Sequence, residues 1–295
     1  MPTLLLFVFY LVTAMLLAGL LFYPVFEILH VFWDVRPERV FHRLFMIIAI
    51  LGFWPLLKLS GLNNRYALGY SAHGSRFIQA LIKGLGIGVL IMTVHAILLL
   101  LLGARVPKPD AILFTELLYN LFTGLMAGIV VALIEESFFR GALQSGMRRS
   151  SSFITTSVCV ALFYAAVHFI KPYPLPAEIM IDWSSGWHML ISSFNSFINF
   201  SGIADSYIAL FAAGMFLSLV RETSGNIALC IGIHAGWVWA IKMTKEVTNL
   251  DPAAPTAFLI GSYDNIIGWA ATVVLSVAIL LYWRLLVVKT ANSTL

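Results

Sequence analysis

The sequence predicts an all-α, polytopic membrane protein of about eight transmembrane helices, and three observations carry that prediction. Of its 295 residues 60% are hydrophobic and only 11% charged, where a soluble domain has about 25% charge. The mean hydropathy is +0.93. Apolar runs recur along the whole chain, and about 20 apolar residues suffice for one crossing helix. The formal charge of +4 is modest and is spread over several connections, the pattern of membrane-side loops and not of a nucleic-acid binder. Cys159 and Cys230 each lie inside an apolar run without CxxC spacing, so they read as small core residues. No repeat or composition break divides the chain, and 1–295 reads as a single transmembrane domain.

The first apolar run, residues 4–26, has no Lys or Arg ahead of it. It is expected to be an anchor helix and not a signal peptide, which would want a basic start. The second span, 44–59, follows a polar patch containing Asp34, Arg36, Glu38, Arg39 and Arg43. The third, 77–102, contains Gly84-x-Gly86-x-Gly88. A dinucleotide fingerprint would need a preceding strand and a following acid, so close helix packing is the reading. The fourth runs from about Ile112 through two glutamates, with Gly124-x-x-x-Gly128 ahead of them. The fifth, 153–170, ends at Lys171-Pro172.

The connection 171–202 alternates aromatic and polar residues, among them Asp182, Trp183, Trp187, His188, Asn195 and Asn199, and holds no full-length span. An interfacial or re-entrant segment between the fifth and sixth spans is expected, because Trp favours the headgroup level. Substrate gating is expected there. The remaining spans are 203–220, 227–243 and 266–288.

Chemistry concentrates in Leu-Ile-Glu-Glu-Ser-Phe-Phe-Arg-Gly-Ala-Leu, residues 133–143. An ionised group near lipid costs several kcal/mol, about 3 on the lowest scales, so Glu135, Glu136 and Arg140 each need a partner or a task. Glu136 and Arg140 share a helix face and pair, acid first. Glu135 is rotated by roughly 100° and is left over. Two other ionisable residues lie within apolar helices, His168 and His234. A desolvated carboxylate with imidazoles can activate water and stabilise an oxyanion. Glu135, His168 and His234 could alternatively hold zinc with a position open for water, although no His-Glu-x-x-His is present. His30, His42, His73, His95 and His188 are expected to be structural, and Trp237 and Trp239 to pack on neighbours.

These residues resemble a family. Glu135-Glu136-x-x-x-Arg140 is similar to the EExxxR motif of the CPBP (CAAX protease and bacteriocin-processing, ABI-domain) intramembrane endopeptidases, which are CAAX prenyl endopeptidase-like. Their Phe-x-x-x-His motif appears as Tyr164-Ala-Ala-Val-His168, and their His-x-x-x-Asn motif as His234-Ala-Gly-Trp-Val238. The resemblance covers about 117–242. It implies a glutamate-type, metal-free protease that cleaves a membrane-associated protein or peptide reaching the site from the bilayer. Glu135 would be the base and His168 its partner on water. Glu136 and Arg140 would support the site, and His234 would help form the oxyanion pocket.

Two departures stand out. Tyr164 replaces Phe, adding a hydroxyl that can hydrogen-bond within the site. Val238 replaces Asn, and one lost oxyanion donor costs about 3–4 kcal/mol. Asn195, Asn199 or Asn226 would have to substitute, or backbone would. The resemblance also implies an integral, multi-pass protein of the cytoplasmic or inner membrane in a prokaryote, surrounded by lipid, with no nucleic-acid partner. Substrate identity, prenyl recognition and oligomeric state stay open. Two other functions compete. One is a non-catalytic membrane chaperone or immunity-type protein that keeps the fold. The other is a proton-coupled transporter, which would want an inverted repeat and broken helices in paired halves.

Overall fold

In lipid a chain must close its backbone hydrogen bonds within itself, and the computed structural model is accordingly dominated by helices. It describes residues 2–71, 74–109, 114–176 and 179–292. The helices are α1 Pro2–Phe32, α2 Pro37–Leu59, α3 Gly74–Leu101, α4 Phe114–Glu136, α5 Phe153–His168, α6 Ser185–Ser192, α7 Ala204–Ser224, α8 Ile227–Val247 and α9 Trp269–Asn292. Among the described residues six segments are long and apolar enough to cross a membrane: α1, α2, α3, α7, α8 and Thr115–Arg148. Helix α5 and the Trp269–Leu285 part of α9 are shorter apolar helices. The eight expected spans are therefore present, two of them short. The expected start of the fourth at Ile112, and His73, lie outside the described residues.

Local chemistry sets several ends. Pro37 opens α2, where its missing N–H costs nothing. The Ser152 hydroxyl accepts from Thr155 N at 3.2 Å to cap α5, and Asn226 accepts from Ala228 N at 2.8 Å to cap α8. Gly225, at φ +63°, closes α7 in the left-handed conformation that glycine adopts without strain.

Helix α8 runs between α3 and α4, and glycines on both neighbours set the distance. A Cβ on Gly84 would strike the Leu229 carbonyl, and one on Gly88 the Ile233 carbonyl. From the other side, Gly232 and Gly236 face the α3 backbone at Leu81 and Leu85. Gly86 meets open space, so two of the three glycines in that stretch do the packing. Gly128 takes the Ala235 carbonyl, which a Cβ would meet at 2.9 Å, and Gly124 takes Trp239 and Lys242. Small residues at such crossings compensate for the missing hydrophobic drive between helices in lipid. Gly214 of α7 does the same against Ala161 of α5.

A separate small core joins α1, α2 and α6 through Phe22, Phe41 and Met189, with the backbones of Gly19 and Gly186 in direct contact. The long connection is thus a set of short helices laid on α1. It exposes Trp183, Trp187, Ile191 and Ile198, as an interfacial segment would.

One element was not expected. Strand β1 (Arg105–Pro107) pairs antiparallel with β2 (Thr248–Leu250), tying the end of α3 to the end of α8. Buried Arg105 fixes the tie by donating to Thr248 Oγ1 and O, both at 2.6 Å, and to Asn265 O at 2.7 Å. The chain remains all-α apart from this clip.

The glycine contacts make a paired prediction. Gly88→Ala should destabilise the protein by at least about 1–3 kcal/mol, the usual range for overpacking. Gly86→Ala, two residues away, should be neutral or slightly stabilising, since it improves helix propensity. Thermal unfolding in detergent reads both, and equal effects would contradict the packing described.

Candidate active site

The site starts where α4 ends. After Glu136 the helix widens into a π-helical stretch, Ser137–Gln144, a form that recurs at functional sites. The Ser145 hydroxyl donates to the carbonyl of Arg140, five residues back, at 3.4 Å. Across this stretch Arg140 Nη1 still donates to Glu136 Oε1 at 3.1 Å, with both side chains sealed from solvent. Arg140 Nη2 donates to Gly214 O at 3.2 Å, and Gln144 Nε2 to Ser218 O at 3.1 Å, so the π stretch is stitched to α7. The guanidinium carbon lies 4.5 Å from the centre of the Tyr164 ring.

Glu136 does not serve Arg140 alone, which corrects the reading of a self-contained pair. Its Oε1 also lies 2.8 Å from His234 Nδ1 on α8. Face-sharing along one helix reports only local neighbours, and this contact joins residues far apart in sequence. The glycine crossings at Gly124 and Gly128 bring α8 close enough to make it.

Hydrogen bonding fixes the tautomers of both histidines. His168 Nδ1 lies 2.7 Å from the Tyr164 carbonyl, which only accepts, so Nδ1 carries the proton. His234 Nδ1 likewise donates to the Glu136 carboxylate. In neutral rings both Nε2 atoms are then bare. They face one oxygen, Glu135 Oε2, at 3.8 Å from His168 and 3.9 Å from His234. That oxygen is buried and has no hydrogen-bond partner. Acceptors this close call for a donor, and a water at the edge of the inner cavity can donate to Glu135 and to one of the imidazoles. The structure therefore brings together Glu135, His168 and His234, from α4, α5 and α8.

Two cavities meet at Glu135. An inner one of about 300 Å³ is lined by Glu135, Tyr164, His168, His234, Trp237 and Val238, among others. An outer groove of about 540 Å³ runs between α1–α2 and α4–α5 past Tyr10, Phe45, Phe53 and Phe138. Val131, Glu135, His168 and Tyr263 line both. Tyr263 was not legible beforehand, because no spacing relates a loop residue before α9 to the end of α4. Its ring lies 6.2 Å from that of His168, with Lys171 Nζ 4.0 Å over its face. Burial, and then the Asp264 and Glu135 carboxylates, push the Tyr263 phenol up, so it stays a donor at neutral pH.

The asparagines proposed as stand-ins for Val238 are not in this site. Asn226 caps α8, Asn199 Oδ1 accepts from Ser201, and neither they nor Asn195 lines these two cavities. Trp239 Nε1 donates to Leu121 O at 2.9 Å and Trp237 is buried against Phe216, both packing roles. His95 bonds the Ile266 carbonyl at 3.1 Å and His30 stacks on Phe26, while His42 lines the outer groove. As for a metal, tetrahedral zinc with bonds of about 2.0–2.1 Å wants ligand atoms roughly 3.4 Å apart, closer than the 3.8–3.9 Å found. Among the described residues no group of three or more His, Cys, Asp or Glu is arranged to hold a metal ion.

Comparison with known proteins falls on these same elements. The family model described as type II CAAX prenyl endopeptidase Rce1-like matches residues 117–240, from α4 into α8. No curated protein and no solved structure matches the chain.

The sealed pair yields a stability test. Arg140→Met should cost about 3–5 kcal/mol, because it strands a buried carboxylate. Adding Glu136→Gln should recover at least about 1 kcal/mol of that. Thermal unfolding of the four-member cycle measures the coupling, and strictly additive effects would rule it out.

Proposed function

We propose, from the match of residues 117–240 to the family model described as type II CAAX prenyl endopeptidase Rce1-like, that this multi-pass membrane protein is a glutamate-type intramembrane endopeptidase with Glu135 as its base. The observation that carries the reading is the unpaired Glu135 Oε2 lying 3.8 and 3.9 Å from two imidazole nitrogens at the edge of the inner cavity. A water there gives one hydrogen to Glu135 and the other to His168 Nε2. As its oxygen attacks the scissile carbonyl, Glu135 takes the proton and the carbonyl oxygen becomes an oxyanion. Collapse breaks the C–N bond, and Glu135 returns the proton to the leaving nitrogen, so the base is regenerated.

His234 acts from the other side of the gap. With a second proton its Nε2 donates to the oxyanion, while Glu136 holds Nδ1 and balances the charge. Arg140, bound to Glu136, Gly214 O and the Tyr164 face, keeps that carboxylate in place. The outer groove suits the substrate. Its wall is mostly apolar, it ends at Glu135, and Lys171 is the cationic side chain on it. A peptide with an apolar or prenylated segment and an anionic carboxyl end matches that distribution, and the family description names a CAAX prenyl endopeptidase.

The test uses the full-length protein in proteoliposomes with a CAAX-type prenylated, internally quenched peptide. Glu135→Gln should lower kcat by at least about a hundredfold, the scale of general-base catalysis, while cleavage by the parent protein survives a strong chelator. A Glu135→Gln protein that still cleaves removes Glu135 as the base, and a parent protein that does not cleave favours a scaffold or carrier. Cleavage that chelation abolishes and zinc restores would instead assign Glu135, His168 and His234 to a metal.

A further inference from the structure

The chain departs from the family's motifs at two positions, and the departures are complementary in chemistry. At Val238 an amide that could donate is missing. At Tyr164 a hydroxyl has been added to a ring. These positions are on different helices, yet both line the inner cavity of about 300 Å³ together with Glu135, His168 and His234. A group bound at its centre is within reach of either wall.

Tyr164 is placed to act there. The residue is 2% exposed, and its ring is held on three sides. The Arg140 guanidinium carbon lies 4.5 Å from the ring centre, the Phe139 ring meets it edge-on at 5.1 Å, and the His168 ring at 4.5 Å. Among the described residues its hydroxyl makes no hydrogen bond to the protein, although the side chain faces the cavity. A hydroxyl that meets no protein acceptor gains a bond when a charged oxygen forms beside it in the cavity. A donor held rigidly where charge develops, and idle before it develops, favours the transition state over the ground state.

We infer that the Tyr164 hydroxyl donates to the oxyanion in place of the amide absent at Val238, a role that rests on the endopeptidase reading above. Tyr164 and His234, their ring centres 6.3 Å apart, then share the developing charge, and Val238 lines the cavity without contributing a polar group.

The experiment is a reciprocal exchange in proteoliposomes, read with the same CAAX-type prenylated, quenched peptide. Tyr164→Phe removes one oxygen and leaves the ring contacts. It should lower kcat by about a hundredfold or more, with KM changed less than about threefold and the unfolding temperature unchanged. Adding Val238→Asn to that variant should restore kcat at least about tenfold, because it returns a donor to the same cavity. The inference is overturned if Tyr164→Phe keeps more than about a third of the parent kcat, or if the added Val238→Asn restores nothing. It is also overturned if the loss tracks a fall in unfolding temperature, or if Tyr263→Phe shows the loss in its place. Failure of the endopeptidase reading looks different: the parent protein itself would show no Glu135-dependent cleavage of the probe.

Discussion

A carboxylate sealed inside a helical bundle needs donors, and Glu136 finds them at one oxygen, Oε1, which takes Arg140 on its own helix and His234 on α8. Its Oε2 has no hydrogen-bond partner among the described residues. Everything at the site hangs on Oε1. It orients the His234 ring, and through Arg140 it reaches the Gly214 carbonyl of α7 and the face of Tyr164 on α5. Four helices are thereby referenced to one buried charge. Such a pair adds little net stability, because desolvation offsets most of the attraction. What it supplies is position, since any displacement of one helix leaves a charge stranded.

Glu135 has the opposite fate although it is the next residue. It points to the gap, and its Oε2 meets two nitrogen lone pairs and no donor. One glutamate ties Arg140 and His234 to its Oε1, and its neighbour turns an unpartnered oxygen toward two imidazoles. The widened helix that begins right after them lets Arg140 and Gln144 turn toward α7 without pulling Glu135 out of the gap.

Much of this was legible in the sequence, for reasons that can be named. Hydropathy gives the spans because a bilayer demands apolar length. The pairing of Glu136 with Arg140 follows from helical spacing. Gly84 and Gly88 mark a crossing because nothing larger fits, although Gly86 between them faces open space and the pattern does not separate the three. The rest depends on which helices meet. That His234 would turn to Glu136, that Tyr263 would sit beside His168, and that Arg105 would clip two distant loops are consequences of packing. No local period encodes them. The asparagines failed as substitutes for the same reason: being polar and nearby in the chain does not place a side chain in a cavity.

The glycine crossings distinguish one layer of the molecule. Where α3, α8 and α4 touch at glycines, the backbones themselves are in contact, so that layer cannot slide without losing those contacts. Helices α1, α2 and α6 share a small core built from large side chains, and Phe7, Leu56 and Leu57 join α1 and α2 to the main core. The outer groove lies between these two parts. The α1–α2 wall of that groove is built from side chains, whereas the α4 wall bearing Glu135 is held against α8 by backbone contact. Substitutions that resize the groove therefore belong on α1 and α2, where they leave the glycine crossings untouched.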